Sequence, residues 1–319
     1  CDALVLLGSK CVNDAWKYLM LKTIKETLRM GVRSIYHNRK FIFLLWGANA
    51  LSAFVLAIPV YAVLLDSLKQ SILSDKLALN FDYIWFIQFL NIYKSNLTEI
   101  PFMLYGMMAI YLLVQTFFLG GLISVFKIPA KNHTVDFFYG GVKYFVRFTK
   151  LMLFSVLFIL IAFLINDYLG SLILSFFENS ENIRAEFILM SLRYILLIFL
   201  IGIGAMISDY SKVNIAVKDN FHIFKTVYET VKFLKHNFTK VFLLFLIVAI
   251  FGAVGAVIYN LVRVTIPETP FYFLIVSFIL QQMLIIFRLF IRMLFYSTEV
   301  ILFKDLSAEI ISPKVNKAN

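Results

Sequence analysis

The stretch Phe41–Leu65, FIFLLWGANALSAFVLAIPVYAVLL, contains no charged side chain. A helix rising 1.5 Å per residue crosses a hydrocarbon core of ~30 Å with about 20 mainly apolar residues. Only a helix or a closed barrel satisfies the backbone where water is absent. The stretch is long enough to span and too long for a buried sheet strand. Working outward, five further stretches have the same character: Ile100–Phe126, Phe148–Asp167, Phe187–Ser208, Val241–Val262 and Phe271–Phe295. Pro101 suits the first turn of the second. Arg193 interrupts the fourth, and Arg288 and Arg292 lie in the second half of the sixth. The expected fold is an all-α membrane protein, a bundle of six transmembrane helices.

Composition agrees with that class. The 319 residues are 61% hydrophobic, include 35 phenylalanines and are only 15% charged, against about 25% charged in soluble domains. A water-soluble globule could not hide so much apolar surface. The net charge of +11 would suggest nucleic acid in a soluble protein. Here it points to anionic lipid headgroups, and no nucleic-acid partner is expected. Cys1 and Cys11 form no CxxC or Cys/His cluster, so neither a metal nor another cofactor is expected.

Loop charge sets the orientation. Alternate connections, together with the N-terminal arm and the tail, hold 22 of the lysines and arginines, whereas the opposite side holds five: Lys69, Lys76, Lys94, Arg184 and Arg263. The positive-inside rule places the rich side, and both termini, in the cytoplasm. Residues 1–40 read as a cytoplasmic arm with an amphipathic interfacial helix, 41–303 as the six-span domain and 304–319 as a cytoplasmic tail.

Three basic runs precede the outward spans. Thr23-Ile24-Lys25-Glu26-Thr27 leads to Arg39-Lys40. Thr134-Val135-Asp136-Phe137-Phe138 leads to Thr149-Lys150. Thr226-Val227-Tyr228-Glu229-Thr230 leads to Thr239-Lys240. Two return spans end alike, in Gly120-Gly121-Leu122-Ile123-Ser124 and Gly204-Ala205-Met206-Ile207-Ser208. These echoes suggest three parallel repeats, each an interfacial amphipathic helix plus a helical hairpin. Mitochondrial carriers share the threefold layout, but Pro59 lacks the charged residues that follow proline in their motif. Small residues Ala249, Gly252, Ala253, Gly255 and Ala256 in the fifth span have the spacing of close helix packing, and Gly120, Gly121, Gly202 and Gly204 suit the same role.

Ser277, Gln281, Arg288, Arg292 and Glu299 fall within about 60° of one helical face. Such a stripe faces a bundle interior or a water-filled cavity. Gln281, Arg288, Arg292 and Glu299 are therefore the expected lipid- or substrate-binding residues, with the arginines matched to phosphate; anchoring of the helix end by Arg288 and Arg292 is the structural alternative. Asp167 and Arg193 form a second candidate, an intramembrane ion pair. Asp209 suits a cap on the fourth span or a bridge to Arg288 or Arg292. His37, His133, His222 and His236 lie in basic connections without ligand spacing. No protease, hydrolase or nucleotide-binding motif is present, and no catalytic residue is assigned.

The basic N-terminal helix entering Phe41–Leu65, and the stretch from Asp209-Tyr210 through Lys240 into the fifth span, resemble a group of uncharacterised prokaryotic membrane proteins. That group is similar to the membrane region associated with some glycerophosphodiester phosphodiesterases. The resemblance implies a multi-pass protein of the bacterial inner membrane. It carries no active-site residue, since the phosphodiesterase catalytic domain is absent from this chain. The function expected is non-enzymatic: lipid binding, scaffolding or support of transport. A transporter or channel using the sixth-span stripe and a lipid-phosphate-handling enzyme are the alternatives. The partners expected are the bilayer, its anionic cytoplasmic headgroups, and a second membrane protein or another copy of the chain.

Overall fold

The computed structural model describes residues 23–68, 83–92, 100–128, 133–178, 182–267 and 272–315. Cys1, Cys11, Lys69, Lys76, Lys94 and Phe271 lie outside the described residues. No strand occurs among the described residues. The helices are α1 (23–37), α2 (Lys40–Leu68), α3 (Tyr83–Ile92), α4 (Ile100–Lys127), α5 (His133–Phe177), α6 (Ile183–Lys218), α7 (Ile223–Thr265) and α8 (Tyr272–Val315). Five helical segments are long and apolar enough to cross a membrane: Tyr105–Lys127, Thr134–Phe177, Ile183–Lys218, Ile223–Thr265 and Tyr272–Ser307. Lys40–Val55 is a shorter apolar helix on the same measure. Apolar side chains along these segments face outward, as at Phe176 and Val264, which are 82% and 85% exposed. A bilayer accommodates such a surface and water does not. The chain is a multi-pass helical membrane protein.

The basic runs depart from expectation. Instead of a separate interfacial helix, the second is continuous with the span that follows. α5 is one helix of 45 residues, about 68 Å long at 1.5 Å per residue. That is roughly twice the ~30 Å hydrocarbon core. Leu, Phe, Lys and Arg all tolerate the helix interior, so the change from basic to apolar composition carries no stop signal. The fourth span likewise continues past Ser208 to Lys218. Two runs do break, each at an asparagine. α1 gives way to α2 through i→i+3 bonds, Asn38 N–H to Ile35 O (2.9 Å) and Phe41 N–H to Asn38 O (3.0 Å). α7 kinks at Asn237, whose backbone leaves the helical region (φ −114°, ψ 22°). In both runs the second threonine of the matching pentapeptide bonds back one turn, Thr27 to Thr23 O (2.9 Å) and Thr230 to Thr226 O (2.8 Å). α3 is a short apolar helix in a segment that hydropathy alone leaves as connection.

Two units are distinguished. The first comprises Cys1–Ser34, Leu119–Leu246 and Phe295–Asn319. Its core includes Phe137, Phe148, Leu151, Tyr210, Leu244 and Phe303, each at most 2% exposed. The end of α4 crosses α5 closely here. A Cβ placed on Gly140 would lie 2.2 Å from Ser124 Cβ, and one on Gly121 would lie 2.7 Å from the Phe137 carbonyl oxygen. Gly204 meets the Phe158 ring, whereas Gly202 has open space beside it. The second unit comprises Ile35–Phe118 and Ile247–Leu294. In it α7 packs on α8 through the small residues the sequence indicated, with Gly252 against Ile291 and Gly255 against the Phe287 ring.

Candidate functional site

The polar stripe of the sixth span divides along α8. Gln281 and Arg288 are exposed and Ser277 is partly buried. Arg292 turns inward within the second unit and donates from Nη1 to Gln115 Oε1. Gln115 Nε2 donates to Asn49 Oδ1 (2.7 Å), which also accepts from Tyr111 O–H (3.0 Å). About one turn earlier in α2, Trp46 Nε1–H donates to Gln282 Oε1 (3.0 Å). Glu299, in the first unit, is 3% exposed, and its Oε2 has no hydrogen-bond partner among the described residues. Tyr210 and Lys212 adjoin it electrostatically, as does Asp209. Residues a whole number of turns apart thus share a face of α8 but not an environment.

Asp167 and Arg193 are not brought into an ion pair among the described residues. Asp167 is exposed. The Arg193 guanidinium lies over the Tyr194 ring at 4.6 Å and packs on the bare Cα of Gly170. Asp209 is an ion-pair partner of Lys212 (2.7 Å), three residues on in the same helix, and caps nothing because α6 continues.

The first unit holds a cavity of about 730 Å³, within the 300–1,000 Å³ usual for ligand sites. α6 contributes Asn214 and Lys218, α7 Glu229, Lys232, Phe233, Lys235 and His236, and α8 Phe303 and Ser307. Three lysines thus stand against one glutamate. Glu229 accepts from Lys218 (3.3 Å), while Lys232 and Lys235 have no ion-pair partner among the described residues. The apolar wall is an aromatic run, with the Phe233 ring centred 4.8 Å from Phe303 and 6.0 Å from Tyr210. At the buried end Asn214 Nδ2 donates to Thr230 Oγ1 (3.3 Å). The Thr230 hydroxyl proton is already given to Thr226 O, so Thr230 can only accept from Asn214, which fixes the amide orientation. Asn214 Oδ1 is then a buried acceptor without a donor among the described residues. The arrangement of lysines and aromatic wall suits an anion with an apolar body.

None of these cavity residues was read from the sequence as a site: Glu229 appears there only within a repeat and His236 only in a basic connection without ligand spacing. The lysines count as loop charge until α6, α7 and α8 converge. The one available signal was Lys232, Lys235 and His236 at successive helical positions in the third basic run.

A second charged cluster closes the end of α6. Asp219 is its C-cap in the left-handed region (φ 54°, ψ 36°). Its carboxylate accepts from Lys143 and Arg147 of α5, both at 2.7 Å. Lys127 Nζ (2.6 Å) and Tyr144 O–H (3.3 Å) donate to Ala216 O, a carbonyl of the last turn. Cations are favoured at this negative helix end. Arg147 also lies 3.7 Å from the centre of the Phe221 ring.

The hydrogen bonds from Lys143 and Arg147 hold the Asp219 carboxyl below its usual range. A carboxyl lowered by folding stabilises above its unfolded value, and that contribution is lost as pH falls through the folded value. Asp219→Asn keeps a residue tolerated in the left-handed region and removes only the charge. The variant should melt below wild type at neutral pH by about 1 kcal/mol or less, since the carboxylate is 42% exposed and screened. The gap should close as pH drops below about 4. Thermal unfolding in detergent across pH measures it; a gap constant at every pH would assign the loss to something other than this carboxylate.

The chain matches no protein-family model, and it shows no significant similarity to curated proteins or to solved structures.

Proposed function

We propose that the chain is a non-enzymatic, six-span protein of the bacterial plasma membrane that holds an anionic lipid by its headgroup in the cavity of α6, α7 and α8. The carrying observation is the cavity itself, with Lys232 and Lys235 uncommitted beside an aromatic wall. An anionic head on an apolar body satisfies both features. α2, a helix of 29 residues, supplies the sixth span. Loop charge supports cytoplasmic termini, which puts the cavity on the side where anionic headgroups are abundant. The bonded chain from Asn49 to Arg292 supports a structural role for that face rather than a transport path, because side chains that bond one another are not offered to a solute.

Lipid retention tests the reading. Native mass spectrometry of protein purified from mixed micelles should show phosphatidylglycerol retained at least tenfold over phosphatidylcholine. The double reversal Lys232→Glu with Lys235→Glu should remove that preference while leaving the melting temperature near wild type. Equal preference in wild type and reversal would defeat the proposal.

A further inference from the structure

We propose that an acyl chain of the bound anionic lipid lies in a crevice beside the Asn237 kink. This rests on the headgroup reading above and adds where the chain of the ligand lies. The crevice has a volume of about 340 Å³ and is lined by Ile203, Met206, Ile207, Val231, Leu234, Lys235 and Phe238. Its only polar member is Lys235, which also lines the basic cavity. One lysine is therefore shared between a cationic compartment and an apolar one, as the junction of an anionic head and a hydrocarbon tail requires. Met206 and Leu234 are 2% and 7% exposed, so the crevice floor is packed protein rather than open surface. It opens where α7 leaves regular geometry at Asn237, bounded by Leu234 and Phe238 on either side of that residue.

The volume suits one chain of medium length. Bilayer and crevice are equally apolar, so the chain adds selectivity by shape and little net affinity. The headgroup must supply attraction, and Lys232 and Lys235 supply the charge.

The test uses the full chain in nanodiscs and a dodecanoyl lysophosphatidic acid carrying a diazirine at the chain end. Irradiation should place adducts, mapped by mass spectrometry, within residues 203–207 and 231–238. Labelling there should fall at least tenfold in the Lys232→Glu, Lys235→Glu double variant. Unlabelled lysophosphatidic acid should compete, and equal competition by neutral monolaurin would overturn the anionic head. Adducts spread over outward residues such as Phe176 and Leu261, with phosphatidylglycerol retention still dependent on Lys232 and Lys235, would overturn the crevice and leave the headgroup reading intact. Loss of both dependences would overturn the two together. Ile207→Trp should reduce crevice adducts at least fivefold, and unchanged labelling in that variant would overturn the crevice.

Discussion

Gly140→Leu should leave no stable bundle. At Gly140 a Cβ alone would stand 2.2 Å from Ser124 Cβ, 2.7 Å from Ser124 Oγ and 3.0 Å from Gly120 O. None of these is the far end of a long side chain, so relief requires α4 and α5 to separate. Overpacking ordinarily costs 1–3 kcal/mol and more where backbone must move. We expect about 3 kcal/mol for Gly140→Ala and failure to fold for Gly140→Leu. Gly121→Ala meets both the Phe137 ring and its carbonyl oxygen, so trimming the ring in a Gly121→Ala, Phe137→Leu double variant should restore only part of the loss. Gly202→Ala is the control: nothing lies within 4 Å, and the helix propensity gain of up to about 1 kcal/mol leaves it at or above wild type. Detergent thermal unfolding followed by size-exclusion chromatography reports all five. Wild-type melting of Gly140→Leu would show that the two helices do not cross as described.

The second large effect concerns an asymmetry around Arg292. Gln115→Leu removes the acceptor of a cation and leaves its guanidinium without that bond; Arg292→Met removes the cation and leaves a neutral amide. The first should cost about 2 kcal/mol, the scale of one hydrogen bond to a charged group. The second should cost about 1 kcal/mol, the scale of a hydrogen bond between membrane helices. The double variant Gln115→Leu, Arg292→Met should recover most of the difference and melt above Gln115→Leu alone. Additive losses would mean that the two residues do not act as a pair.

Much of the class was legible in advance. Long uncharged stretches announced membrane helices. The shared face of Arg292 and Glu299 also followed from helical spacing. The exposure of Gln281 and Arg288 on the same stripe did not, because a face says nothing about which neighbour covers it at each level. Asn49, Tyr111 and Gln115 were invisible as a site: each is a lone polar residue in an apolar run, and their joining depends on how α2, α4 and α8 pack. Hydropathy also cut α5 into a loop and a span, since it measures affinity for lipid and not helix continuity. Gly140 and Gly141 lay in a segment read as interfacial, where close packing was not sought. The lysines of the cavity were counted for their sign alone.

The unbroken run of α5 from His133 to Phe177 contains no proline and no departure from helical backbone. Such a shaft does not bend to absorb a change of angle. Its apolar half answers to bilayer thickness, which shifts the tilt of long helices at modest cost. Any tilt there swings Lys143 and Arg147 through the same angle, and Asp219 travels with them or lets go. Thinning or thickening of the lipid is thereby converted, with no moving part beyond one stiff lever, into strain on a charged latch.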